Sequence, residues 1–316
     1  MSRAVLKVVF AGPYVSIQDG GRRGYMRFGV PRSGPMDRLG FATANLALGN
    51  DPAAAGIEIS AGGLTLECVE GAVGFAVAGG GFLTALGGET APGWRVAVIE
   101  AGQRLVIRPG RWGAWTNLTF AGRLAATDWL GTAATHALSG FGGGRVVTGQ
   151  RLEVEEARTV PARDLPLPVL ARFTGRAHVV MGPQDHFFDA AARAAFLNGD
   201  WSLSNAYDRM GMRLAGPVIK PAAALDMPSE GIMRGAVQVA GDGVPVVMQA
   251  DHGTTGGYPK IATVLDADLD AFVQGRPRQP VRFLPVTPAQ ATAIARTRHA
   301  AVARYLAGIR REAPGG

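Results

Sequence analysis

LTLECVEGAVGFAVAGGGFLTALGGETAPGWRVAVIEAGQRLVIRP, residues Leu64 to Pro109, decides the fold. Within it LTLECV, VGFAVAG, WRVAVIE and QRLVIRP alternate with a period of two, the spacing that lines one face of a β-strand. Glycine clusters at Gly79-Gly80-Gly81 and Gly87-Gly88 punctuate them as turns. Upstream, AVLKVVF opens the chain in the same style and Gly62-Gly63 supplies another turn; downstream, WGAWTNLTF reads as a further strand. The N-terminal half is therefore predicted to be β-rich. Its one good helix candidate is MDRLGFATANLALGN, where Met36, Leu39, Thr43, Leu46 and Ala47 share a face and Gly49-Asn50 provides a stop.

Residues 156–170, EARTVPARDLPLPVL, carry three prolines and mixed charge, which disfavours both regular states. A domain boundary is placed there, giving an N-terminal domain over 1–162 and a C-terminal domain over 163–316. The second half repeats the style of the first. AHVVMG, WSLSNAYDRMGMRLAG, GAVQVAG, VPVVMQAD and VRFLPV read as strands, and HFFDAAARAAFLNG as a helix stopped by Asn198-Gly199. The tail from Pro288 to Arg311 predicts a helix with proline in its first turn and arginines on its outer side.

At 316 residues the chain suits two domains, because single cores stop growing near about 250–300 residues. Hydrophobic residues form 47% and charged residues 18%, enough apolar surface to bury and no case for disorder. No stretch approaches the ~20 apolar residues of a membrane span, and the first residues lack a signal pattern, so no membrane association and a cytoplasmic location are expected. Cys68 is the only cysteine, which excludes an internal disulfide and points to a buried, inert thiol. The net charge of +7 raises nucleic-acid binding, yet the arginines are scattered singly without an aromatic platform, so no nucleic acid is expected.

Several reaction classes lack their signatures. There is no GxxxxGK[ST] phosphate loop, no HExxH, no paired CxxC and no GxSxG elbow. The five histidines show no ligand spacing, so no metal site is assigned. Chemistry here would rest on carboxylates, cations and backbone groups. Four polar clusters qualify. In SIQDGGRRGYMRFGVPRSGPMD, Asp19 and Arg22 crowd a glycine-rich loop, with a local surface salt bridge as the plain alternative. In MGPQDHFF, Asp185 follows a strand end, with helix capping as the plain alternative. In SNAYDRMGMRL, Asp208 and Arg209 lie between strand-like segments, where they would also serve as a hairpin ion pair.

The fourth cluster is GTTGGYPKIATV, with Thr255, Gly256, Gly257, Tyr258 and Lys260 at a loop-to-strand junction. The chain uses only three lysines, Lys7, Lys220 and Lys260, against 29 arginines. A lysine kept here suggests a compact point charge suited to a developing oxyanion, where a guanidinium fork would not fit. A surface lysine is the plain alternative.

Together QDGGRRGYMRFGVPRSGPMD, NLALGNDPAAAGIEI, GPQDHFF, SNAYDRMGMRLAGP and TTGGYPKIATV, in this order, resemble the allophanate hydrolase subunit 2 family, also called the biotin-dependent carboxyltransferase or KipA family. That family includes the C-type component of 5-oxoprolinase and the matching part of urea carboxylase. Two departures are His186-Phe187 after Pro-Gln-Asp and His252-Gly253 before Thr-Thr-Gly-Gly. The resemblance implies a mainly β fold with two cyclophilin-like β-barrel domains. It implies a partner as well, a subunit 1 protein of the KipI type, equivalent to the B-type component of 5-oxoprolinase, alongside an A-type component. No biotin-accepting Met-Lys occurs, so no biotin is expected on this chain.

The activity implied is that of one component of an ATP-dependent 5-oxoprolinase, opening 5-oxoproline to L-glutamate, with ATP used by the complex. The alternatives are a carboxyltransferase component of a urea carboxylase or allophanate hydrolase system and a KipA-like antagonist of a KipI-type protein. For a small amide substrate, Lys260 and Arg209 are expected to carry developing negative charge and Asp185 to act as base or orienting group. Asp19 and Arg22 are expected to form a loop closing a cleft between domains, with Tyr258 as a hydrogen-bond donor and Thr255, Gly256, Gly257 and Asp208 lining the substrate.

Overall fold

The computed structural model describes residues 2–222 and 227–314. The chain divides into two units: Met1–Arg22 with Ser33–Arg172 and Val302–Gly316, and Arg23–Arg32 with Phe173–Ala301. A single cut at 162/163 does not reproduce this division. Two excursions exchange segments, one in the glycine-rich loop and one in the C-terminal helix.

Unit 1 holds a seven-stranded sheet and a six-stranded sheet. The seven-stranded sheet contains Arg3–Ala11, Leu64–Glu70 and Arg104–Arg108, and the six-stranded sheet contains Ala72–Ala78, Arg95–Glu100 and Trp115–Phe120. Alternation decides what each face meets. Leu6, Val8, Leu64, Leu66, Leu105 and Ile107 from one sheet join Val73, Phe75, Val77, Ile99, Leu118 and Phe120 from the other in one core. Cys68 lies in that core, and burial pushes its thiol pKa up.

The other face of the six-stranded sheet is covered too. There Ala76, Ala78 and Val96 pack in a second cluster with Ala44, Leu46, Ala47 and Leu48 of helix α1 (Arg38–Ala47) and the following turn, together with Ile309. VGFAVAG is thus buried on both sides, with large residues toward one core and small residues toward the helix. Asp37 caps α1 by accepting from the Gly40 N–H at 2.8 Å.

Unit 2 is a closed barrel of seven strands, in the order Arg176–Met181, Lys260–Val264, Ala236–Val239, Pro245–Met248, Gly211–Ala215, Trp201–Tyr207 and Pro280–Pro285. Helix α2 (Ala190–Asn198) follows the first strand. Its N-cap is Asp189, whose carboxylate accepts from the Ala192 N–H at 2.7 Å. Asp185 therefore does not cap this helix. It starts a separate 3-10 turn, Asp185–Phe187, which the apolar pattern of HFFDAAARAAFL conceals.

A short helix, α3 (Asp266–Phe272), is not legible in the sequence. Its Asp268 is buried and accepts from the His178 main-chain N–H at 2.6 Å and from Nδ1 at 2.9 Å, and it pairs with Arg298 of helix α4 (Pro288–Arg311). This carboxylate ties two helices to the first barrel strand. No helix among the described residues is long and apolar enough to cross a membrane.

Candidate functional site

The barrel strand that begins at Lys260 runs antiparallel to Arg176–Met181, with Met181 opposite Ala262, and antiparallel to Ala236–Val239, with Gln238 opposite Lys260. Beyond Met181 the chain turns at Gly182, whose φ of +88° is the left-handed region that glycine tolerates. The turn keeps Gln184 against the strand. Gln184 N–H donates to Lys260 O at 3.1 Å, and Gln184 Oε1 accepts from Lys260 N–H at 3.1 Å. One side chain and its own backbone thus extend the ladder past its regular end.

With Oε1 used as an acceptor, the Gln184 amide presents its NH2 group outward. Nε2 donates to Glu230 Oε2 at 2.5 Å. The same oxygen takes Lys260 Nζ at 3.4 Å. The Lys260 side chain is 5% exposed and that of Glu230 is 50% exposed, so a buried ammonium meets a carboxylate at the surface. Lys260 is not a surface lysine.

Glu230 is delivered by a two-strand ladder, Glu230–Gly231 with Thr255–Gly256, in which Glu230 lies opposite Gly256. A Cβ on Gly256 would come within 2.6 Å of Ile232 Cδ1 and 2.9 Å of Gln238 Nε2. Glycine is what allows this close approach. Gln238 Nε2 donates to Tyr258 O at 3.4 Å, and the Tyr258 side chain itself is exposed. Thr255 is exposed and Gly257 partly so.

Asp185 follows Gln184 directly, and its Oδ1 lies 3.4 Å from the position a Cβ would take on Gly182. Arg209 is elsewhere. The ladders from Lys260 lead through Gln238 and Val246 to Arg213, whereas Arg209 lies in the turn before that strand begins at Gly211. Arg209 does not form the hairpin pair with Asp208. Its guanidinium is buried and holds Asp251 bidentately, Nε to Oδ2 at 2.9 Å and a second nitrogen to Oδ1 at 3.0 Å. Asp208 Oδ1 instead accepts from the backbone of Met210 and Gly211, closing the turn. Buried His252 adjoins Asp251, and burial drives its pKa below the usual 6.5.

Asp19 and Arg22 belong to unit 1 and are held there by backbone. Asp19 accepts from Gly21 N–H at 2.9 Å and from Ala133 N–H at 2.7 Å. Arg22, fully buried, donates to Trp129 O and Ala134 O and lies 4.3 Å from the Trp129 ring centroid. These contacts fix the loop at 129–135 in place of the surface salt bridge read from the sequence.

Residues 28–285 match the family model described as carboxyltransferase domain, subdomain A and B. The chain belongs to the carboxyltransferase-domain family. Among this family's curated members, it is 35% identical to the C-type component of the Escherichia coli 5-oxoprolinase, over 89% of this chain and 91% of that protein. It is 30% identical to urea amidolyase of Saccharomyces cerevisiae, over 89% of this chain but only 17% of the relative. The solved Kluyveromyces lactis urea carboxylase superposes with a TM-score of 0.85 at 26% identity, covering 96% of this chain and 29% of that one. A carboxyltransferase domain that is one module of the longer relatives thus stands beside a relative of nearly its own length. Gln184 and Glu230 carry no signal as site residues in the sequence, because Glu230 reaches Lys260 only through the pairing with Gly256.

Proposed function

We propose that the chain is the C-type component of a 5-oxoprolinase complex and acts on a small amide, with Lys260 at the carbonyl oxygen. The observation that carries this reading is the buried Lys260 at a strand start, its backbone bonded by Gln184 and its ammonium by Glu230, in a chain with three lysines. The near full-length similarity to the corresponding component of the Escherichia coli 5-oxoprolinase supports the substrate class.

An amide resists attack because its nitrogen lone pair is delocalised onto oxygen. An ammonium at that oxygen favours the charge-separated form on the way to a tetrahedral centre, and a low-dielectric setting strengthens the effect. Asp185, next to Gln184 in the chain, is assigned as the base or orienting group. Arg209 is assigned a positioning role through Asp251, at the start of the loop that leads to Thr255 and Gly256. Asp208 shapes the turn that carries Arg209, and Gly257 and Tyr258 lie on the loop that leads into Lys260. Asp19 and Arg22 order their own loop. ATP use is assigned to the complex, with the nucleotide site on a partner of the A type or the KipI type.

Co-expression with the two candidate partner proteins, followed by an assay of 5-oxoproline-dependent ATP hydrolysis, tests the reading. Turnover by the wild-type complex and a loss of about 10²–10³ in kcat for Lys260→Ala are expected. Normal turnover by Lys260→Ala removes the role. A second reading, a carboxyltransferase step on urea or a related amide, is favoured by the family match and the urea carboxylase superposition. Urea-dependent turnover in the same assay would select it.

A further inference from the structure

The carboxylate of Glu230 is only half used. Its Oε2 accepts from both Gln184 Nε2 and Lys260 Nζ. Its Oε1 has no protein donor among the described residues, and its side chain is half exposed. The Lys260 ammonium carries three N–H groups, and Glu230 is its one protein acceptor among the described residues. An unspent acceptor and an unspent donor thus stand side by side, with Nζ 3.4 Å from Oε2.

A pair of this kind fits one edge geometry. A lactam ring holds its amide cis, so that C=O and N–H point along the same edge. Urea and primary amides also place an N–H beside the carbonyl. An ordinary trans peptide puts the two groups on opposite edges. From this juxtaposition we infer that Glu230 is a specificity-determining residue. Its Oε1 accepts the substrate N–H while Lys260 donates to the carbonyl, so the site selects amides with both groups on one edge. Gln184 positions both partners, since it bonds the Lys260 backbone and the Glu230 carboxylate at once. The inference rests on the reading of Lys260 as the carbonyl partner.

Matched lactam probes test it. 2-Pyrrolidinone offers C=O and N–H on one edge; N-methyl-2-pyrrolidinone keeps the ring and carbonyl but lacks the N–H. Calorimetric titration of the full chain, co-purified with its partners, is expected to show at least roughly tenfold tighter binding of 2-pyrrolidinone, as suits a hydrogen bond to a charged acceptor. Glu230→Ala is expected to abolish that preference, and Glu230→Gln, which keeps an oxygen acceptor, to restore part of it. Equal affinity for the two lactams in the wild type, binding of neither, or an unchanged preference in Glu230→Ala overturns the inference. Lys260→Ala separates it from the reading beneath. Wild-type 2-pyrrolidinone affinity in that variant sinks the carbonyl role of Lys260, whereas loss of affinity there with an unaltered Glu230→Ala preference sinks the role of Glu230 alone.

Discussion

Gln184 and Lys260 exchange two hydrogen bonds of 3.1 Å, one through the glutamine backbone and one through its side-chain oxygen. Seventy-six positions apart in sequence, they behave as neighbours in a ladder. Removing the side chain in Gln184→Ala leaves the buried Lys260 N–H without that acceptor. A stability loss of about 1–3 kcal/mol is expected, measured as a lower urea midpoint at unchanged slope. The same variant should expose Lys260 to reductive methylation. In the wild type, mass spectrometry should find Lys260 modified more slowly than the exposed Lys7 and Lys220.

Arg209 and Asp251 form a buried bidentate pair. Asp251→Ala removes both carboxylate oxygens that the buried guanidinium holds, and is expected to cost about 3–5 kcal/mol of stability. Thermal denaturation of the variant measures it. A double replacement by apolar residues of similar volume should cost less than Asp251→Ala, because it removes both charges of the pair.

His252 gives the chain a direction of pH sensitivity. Burial depresses its pKa below 6.5, so in the folded protein it stays neutral where the unfolded chain already takes up a proton. The unfolded state then binds more protons, and stability must fall as pH drops through and below 6.5. Melting temperatures recorded from pH 8 to pH 5 should decline on the acid side, and His252→Gln should flatten that decline.

Gly256→Ala tests the close approach beside Glu230. The added methyl meets Ile232 Cδ1 and Gln238 Nε2, both at the ends of side chains, so the expected cost is about 1–3 kcal/mol. Shortening Ile232 to valine in the same chain should return part of the loss. Denaturant curves of the two single variants and the double variant give the coupling.

The strands read from the sequence are legible because their apolar residues recur with a period of two, while Gly56–Ser60, buried at every position, shows no alternation of burial; α1 is legible because Gly49-Asn50 marks its end. What escapes are features made by chain pairing. Asp185 reads as a helix cap in GPQDHFFDAA, yet Asp189 takes that place, and only the intervening 3-10 turn decides it. Arg209 has Asp208 beside it in sequence but takes Asp251, 42 positions away, because the antiparallel pairing of Gly211–Ala215 with Pro245–Met248 returns that residue to its side. Lys260 stands out through scarcity alone. Its companions Gln184 and Glu230 lie 76 and 30 positions away, and no local spacing links them.

The exchange of segments between the two units has a consequence for synthesis. Ile309, 2% exposed, belongs to a core whose other fully buried members are all made by residue 171. A ribosome must therefore add more than a hundred further residues before that core can close. Until then the alanine face of the six-stranded sheet waits without one of its covering side chains, and nascent chains should display it to chaperones late into translation.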